Sequence, residues 1–97
     1  MATYITICNF TDQGIRTVKE SIKRADAVKA AGKKFGVDMT QLYWTLGSYD
    51  LVAVFEATDE KDVTAFGLAI GAQGNIRTQT MRAFNKKEMV EIIGKLG

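Results

Sequence analysis

Residues 42–56 read LYWTLGSYDLVAVFE, and this stretch decides the fold. Two runs of β-branched, aromatic and aliphatic residues flank Gly47 and Ser48, which is the signature of a hairpin. Glycine supplies the positive φ that tight hairpin turns require. Strands are therefore predicted at about 41–47 and 50–57. A loop of two or four residues places Leu42, Trp44, Leu46, Leu51, Ala53 and Phe55 on one side of the sheet. Tyr43, Thr45, Asp50, Val52, Val54 and Glu56 then share the other. A three-residue loop would set Leu46 beside Asp50, a poor match. Neither side is polar enough to face water alone: one carries Trp44 and Phe55, the other Tyr43, Val52 and Val54.

The flanking sequence extends this pattern. Residues 3–10, TYITICNF, read as a first strand in which Ile5 and Ile7 oppose Tyr4, Cys8 and Phe10. Thr11 and Asp12 offer a helix cap. Ile15, Val18, Ile22, Ala25, Val28, Ala31 and Phe35 then recur at helical spacing over roughly 12–35. Ser21 can cap a new turn, so a break near 20 is compatible with the pattern. Asp59 caps a second helix with Val63, Phe66 and Ile70 facing inward, and Gly71 and Gly74 end it. Residues 75–84, NIRTQTMRAF, form a fourth strand. Asn85 and Glu88 have the spacing of a capping box for a last helix that carries Met89, Ile92, Ile93 and Leu96.

The order β-α-β-β-α-β plus a terminal helix predicts an α+β ferredoxin-like protomer with a four-stranded antiparallel sheet. Right-handed crossovers put both main helices on one face of that sheet. The other face stays bare unless a second copy covers it. Monomers rarely tolerate an exposed apolar patch of several hundred Å². A homodimer, or a higher homo-oligomer, is the expected state.

Composition narrows the function classes. Ninety-seven residues make one domain, 1–97, of which 46% are hydrophobic and 25% charged. With no histidine, the commonest general base and metal ligand is missing. A single cysteine, Cys8, forms neither an internal disulfide nor a thiolate zinc site. No metal or cofactor is expected. A net charge of +2 does not point to nucleic acid, and no apolar run is long enough to span a bilayer. The opening MATYITICNF lacks the charged start and cleavage region of a secretory leader, so a cytoplasmic location is expected.

MATYITICNFTDQGIR at the start, YWTLGSYDLV in the hairpin and GNIRTQTMRAF in the last strand resemble the GYD domain family. Gly47, Tyr49 and Asp50 match its Gly/Tyr/Asp signature, with Ser48 between. The family is similar to the dimeric α/β barrel superfamily, in which two ferredoxin-like sheets face each other. The resemblance implies a fold and an assembly. It implies no biochemical activity.

Two readings of the hairpin residues stand. In one, Gly47 makes the turn, Asp50 accepts hydrogen bonds from turn amides and Tyr49 packs at the sheet edge. In the other, Tyr49 and Asp50 line the mouth of a ligand pocket with Tyr43, Trp44 and Thr45. Thr78, Thr80 and Arg82 lie on one side of the fourth strand. They read as cross-strand threonine pairs with an outward arginine, or as a site for an anion or carbonyl. Function divides accordingly. The chain is a non-enzymatic module that binds a small molecule or another protein, or an assembly module acting through its last helix. The alternative, by analogy with the superfamily, is a cofactor-independent monooxygenase or isomerase for a small aromatic or carbonyl substrate. Asp50 would then be the base, Arg82 the oxyanion partner, and Tyr43, Trp44 and Tyr49 the aromatic walls.

Overall fold

The computed structural model describes residues 1–97. Strand β1 (Ala2–Phe10) runs through the middle of a four-stranded sheet of order β2-β3-β1-β4, with β2 at Val37–Trp44, β3 at Leu51–Ala57 and β4 at Ile76–Ala83. Every pairing is antiparallel. Alternation sets the two faces. Tyr4, Thr6 and Cys8 of β1 and Leu51, Ala53, Phe55 and Ala57 of β3 are buried beneath the helices. Ile5 and Ile7, opposite Val54 and Val52, point the other way and are half-buried. The facing expected from the sequence is found for all of these residues.

Between β1 and β2 the expected long helix is two. Helix α1 (Asp12–Arg16) is followed by a 3-10 turn at Val18–Glu20 and by α2 (Ser21–Lys34). The break has an identifiable cause. Thr11 caps α1 through the Gly14 amide and also binds the chain entering β4, its amide donating to the Asn75 carbonyl at 3.1 Å. Gly14 lies so close that a Cβ there would overlap the Asn75 carbonyl oxygen. Helix α1 is thus fixed to the start of β4, while α2 must turn to lie on the sheet. Arg24 braces the joint, donating to the carbonyls of Thr17 at 3.0 Å and Gly14 at 3.2 Å. As a result Ile15, Val18 and Ile22 are exposed, and only Ala25, Val28, Ala31 and Phe35 from that stripe turn toward the interior.

Strand β2 starts at Val37, earlier than its sequence pattern indicates, because a bulge lies between Met39 and Gln41. The extra residue, Thr40, lets Met39 and Leu42 both face the helices despite their odd spacing. The β2–β3 hairpin closes with the Thr45 amide donating to the Asp50 carbonyl at 2.8 Å, leaving the four residues 46–49 as its loop. Gly47 takes φ +114 there, which other residues rarely adopt. Leu46 belongs to this loop rather than to the strand, and is fully exposed.

Helix α3 (Glu60–Ala72) returns the chain over the sheet, capped by the Asp59 carboxylate. Its Phe66 sits at 5.7 Å from both Phe35 and Phe55, joining helices and sheet in one core with Tyr4, Val37, Met39, Ala53, Val63 and Ile70. Helix α4 (Lys86–Gly94) begins with the expected capping box: Asn85 Oδ1 accepts from the Glu88 amide at 2.8 Å, and Glu88 accepts from the Asn85 amide at 3.0 Å. Beyond that anchor α4 stands away from the body, with Val90, Ile93 and Leu96 exposed. The molecule is accordingly long, 52 × 31 × 18 Å. Its radius of gyration is 14.7 Å, against roughly 12.5 Å for a domain of this length.

Candidate functional site

The hairpin residues form a clasp on β1. The last β1–β3 pair is Cys8 with Leu51, so Asn9 and Phe10 run on past the start of β3. Asp50 serves both ends of the gap. Its amide donates to the Cys8 carbonyl at 2.9 Å, and its Oδ2 accepts from the Phe10 amide at 2.8 Å. Asn9 Nδ2 donates to the Ser48 carbonyl at 2.8 Å, and Thr45 Oγ1 donates to the Tyr49 carbonyl at 2.6 Å. The loop is thereby tied to the strand beside it. Tyr49 is 41% exposed at the rim.

The other candidate residues are distributed over both faces. Tyr43, paired with Val52, is on the open face and 58% exposed. Trp44 is on the helix face, where its Nε1 donates to the buried Ser21 hydroxyl at 2.9 Å. Thr78 and Thr80 also face the helices, opposite Cys8 and Thr6. Arg82 lies at the far end, opposite Tyr4. Its guanidinium sits 4.4 Å from the Phe84 ring centroid and 5.7 Å from that of Tyr4, and reaches Glu88 Oε2 at 3.4 Å. It also donates to the Thr3 and Ala83 carbonyls. Six residues of β1, about 20 Å, separate its end of the sheet from the Asp50 end. The structure does not bring Asp50 and Arg82 around one cavity.

What lies between those ends is a cleft. Helices α2 and α3 splay over the sheet and leave about 80 Å³ lined by Phe10, Val28, Leu42, Leu51, Ile70 and Ile76, with Thr6, Thr78 and Thr80 on one wall. Thr6 is a lining residue that the sequence reading did not single out, although it is the hydroxyl among the helix-facing residues of β1. Ser21, read there only as the cap of a new turn, lines the cleft as well, and so does Gly67, whose place in the helix pattern suggests a close contact that the structure does not make. Arg24 reaches the rim with its guanidinium occupied by α1. Burial pushes the Cys8 thiol up to about 11, so it stays protonated at neutral pH and is a poor nucleophile. No group of three His, Cys, Asp or Glu side chains is placed to hold a metal.

On the opposite side the sheet is uncovered. Ile5, Ile7, Val52 and Val54 form its centre, and Tyr43 and Met81 its flanks. The accessible surface of the chain is 6835 Å². A folded monomer of this mass exposes roughly 5,500 Å², so about 1,300 Å² is in excess. A standard protein interface takes about 800 Å² per partner.

Element order, antiparallel sheet and one-sided helices define a ferredoxin-like α+β domain. The chain belongs to the GYD domain family, whose model matches residues 4–93. It is 31% identical over 91 residues to a protein of Thermus thermophilus named "Glutamine synthetase and cystathionine beta-lyase binding protein", covering 93% of this chain and 96% of that protein. Among solved structures it is similar to MtbAldR, with a TM-score of 0.68 at 12% identity over 88% of this chain and 52% of that one. It is also similar to a hypothetical protein of Pyrococcus horikoshii, with a TM-score of 0.58 at 24% identity over 89% and 93% of the two chains. At these identities the structural likenesses speak for the fold alone. No helix is long and apolar enough to cross a membrane.

Proposed function

We propose that this protein is a homo-oligomeric binding module of the cytoplasm, which assembles through its open sheet face and then engages another protein. The carrying observation is that face. Four β-branched apolar side chains at the centre of two paired strands are left half-wet, on a chain whose surface exceeds that of a folded monomer. Two such faces set against each other give the closed, isologous arrangement that small oligomers favour. The apolar residues of α4 are a second uncovered surface, and seating them on a neighbouring copy enlarges the assembly. The name of the Thermus relative supports an enzyme as the protein partner. A single free Cys8 is compatible with a reducing compartment.

The test is molar mass by light scattering on dilute protein, followed by calorimetric titration with glutamine synthetase and with cystathionine beta-lyase. The native chain is expected at a multiple of 10.7 kDa. Val54→Lys puts a charge at the centre of the face and is expected to return it to 10.7 kDa with its helical content intact. A native chain that stays folded at monomer mass removes the assembly reading. Failure to bind either enzyme removes the partner drawn from the relative's name and leaves the assembly standing.

A further inference from the structure

The cleft under α2 and α3 has two properties that packing alone does not explain. One is its hydroxyl wall. Thr6, 6% exposed, sits with its Oγ1 2.9 Å from that of Thr80, and Thr78 is the preceding helix-facing residue of β4. Two paired hydroxyls share one proton between them, which leaves the second proton and further lone pairs for a third group. The remaining lining is mostly apolar. The nearest charge, Arg24, spends its guanidinium on Thr17 and Gly14.

The other property is Gly67. Glycine is the poorest helix former after proline, yet this one lies in the interior of α3. A Cβ on Gly67 would meet nothing within 4 Å, so no neighbour in the chain requires its absence. The space it leaves belongs to the cleft.

We propose that the cleft is a binding site for a small neutral molecule, apolar in body and carrying one hydroxyl or carbonyl group, which bonds the Thr6–Thr80 pair. The 80 Å³ available is about half the engineered cavity of roughly 150 Å³ that admits benzene. It therefore takes a ring edge or short chain, and the remainder of the ligand extends through the open mouth. A carboxylate is excluded, since the site has no free cation to offset its desolvation. The cleft belongs to one protomer and lies on the far side of the sheet from the face proposed for assembly. This inference and the assembly reading fail separately.

The test titrates the ¹⁵N-labelled full chain with cyclohexanol and cyclohexanone, using methylcyclohexane and cyclohexanecarboxylate as controls. Saturable amide shifts are expected around Thr6, Ile70 and Thr80 for the first two probes, weaker ones for methylcyclohexane and none for the acid. Thr80→Val is expected to weaken cyclohexanol by roughly five- to tenfold and to leave methylcyclohexane unchanged. Gly67→Leu fills the cleft and is expected to abolish binding while melting no lower than the native chain. Gly67→Ala, a smaller intrusion, is expected to weaken it. Each of four results overturns the proposal: no saturable shift with either polar probe; shifts centred on Ile5 and Val54; equal affinity for methylcyclohexane and cyclohexanol; or undiminished binding in both Gly67 variants.

Discussion

Replacing Asp50 by alanine separates a structural clasp from a pocket residue. Three bonds meet at Asp50, and only one is lost: its amide still donates to the Cys8 carbonyl and its carbonyl still accepts from the Thr45 amide, while the Phe10 amide loses the carboxylate it reaches at 2.8 Å. A hydrogen bond to a charged group contributes about 1.5–3 kcal/mol, and a donor left without a partner near the interior costs in the same direction. Asp50→Ala is therefore expected to cost about 2 kcal/mol. For a chain of this length each kcal/mol moves the melting temperature by about 4–8 °C, so a drop of roughly 8–16 °C is expected. Asp50→Asn keeps an acceptor without the charge and should lose about half as much. Urea unfolding at fixed protein concentration gives the free energies. Hydrogen exchange at the Phe10 amide reports the bond itself and should quicken most in the alanine variant. A loss below about 0.5 kcal/mol, with Phe10 as protected as before, would refute the clasp and return Asp50 to the groups available to a ligand.

Three further outcomes are expected. The Cys8 thiol is held near 11 from an ordinary 9.0, so between those values the unfolded chain sheds a proton that the native chain keeps. Stability must fall as pH rises through that window, by up to roughly 2–3 kcal/mol, and the difference in urea midpoint between native protein and Cys8→Ala should show it. Glu88 is held below the usual carboxylate range, chiefly by the Asn85 amide; desolvation, next in size, opposes this, and the hydrogen bond and charge of Arg82 add to the lowering. The α4 cap is thus intact above that range and is lost as pH falls through the lowered value; carbon-13 shifts of Glu88 and Asn85 should titrate together there. Gly14→Ala forces a methyl group against the Asn75 carbonyl and is expected to cost at least about 2 kcal/mol, with loss of exchange protection at the Thr11 amide.

Strands β1, β3 and β4, helix α3 and the α4 cap were legible because each obeys a local rule: period two, period 3.6, or a side chain reaching an amide three residues away. The departures are places where a distant residue overrules the local pattern. Ile15, Val18 and Ile22 keep helical spacing with Val28 and Phe35, but Gly14 is held by Asn75, sixty-one positions along the chain, and the first half of the stripe is turned outward. Glu20 has the spacing to pair with Arg24, yet pairs with Lys23 at 3.8 Å, because Arg24 is committed to Thr17 and Gly14. The start of β2 was hidden by the bulge, since Met39 and Leu42 are out of step for a regular strand. At the hairpin the turn glycine was readable, and so was the choice between clasp and pocket. What Asp50 holds was not, because Cys8 and Phe10 lie about forty residues away and become its neighbours only when the sheet forms. The cleft was least visible, being made of a few residues from each of the four strands and from α2 and α3.

The irregularity at Thr40 has a bearing on how copies of this chain approach one another. Strands at the two rims of a sheet offer unpaired amides and carbonyls to any similar strand, and side-by-side fusion into ribbons is the danger. One rim here is β2, kinked where Thr40 reaches back to the Val54 carbonyl. The other is β4, which carries Arg77, Gln79 and Arg82. With a kink guarding one border and charge the other, the rims disfavour ribbons and suit the broadside stacking proposed above, a route on which growth would stop at two.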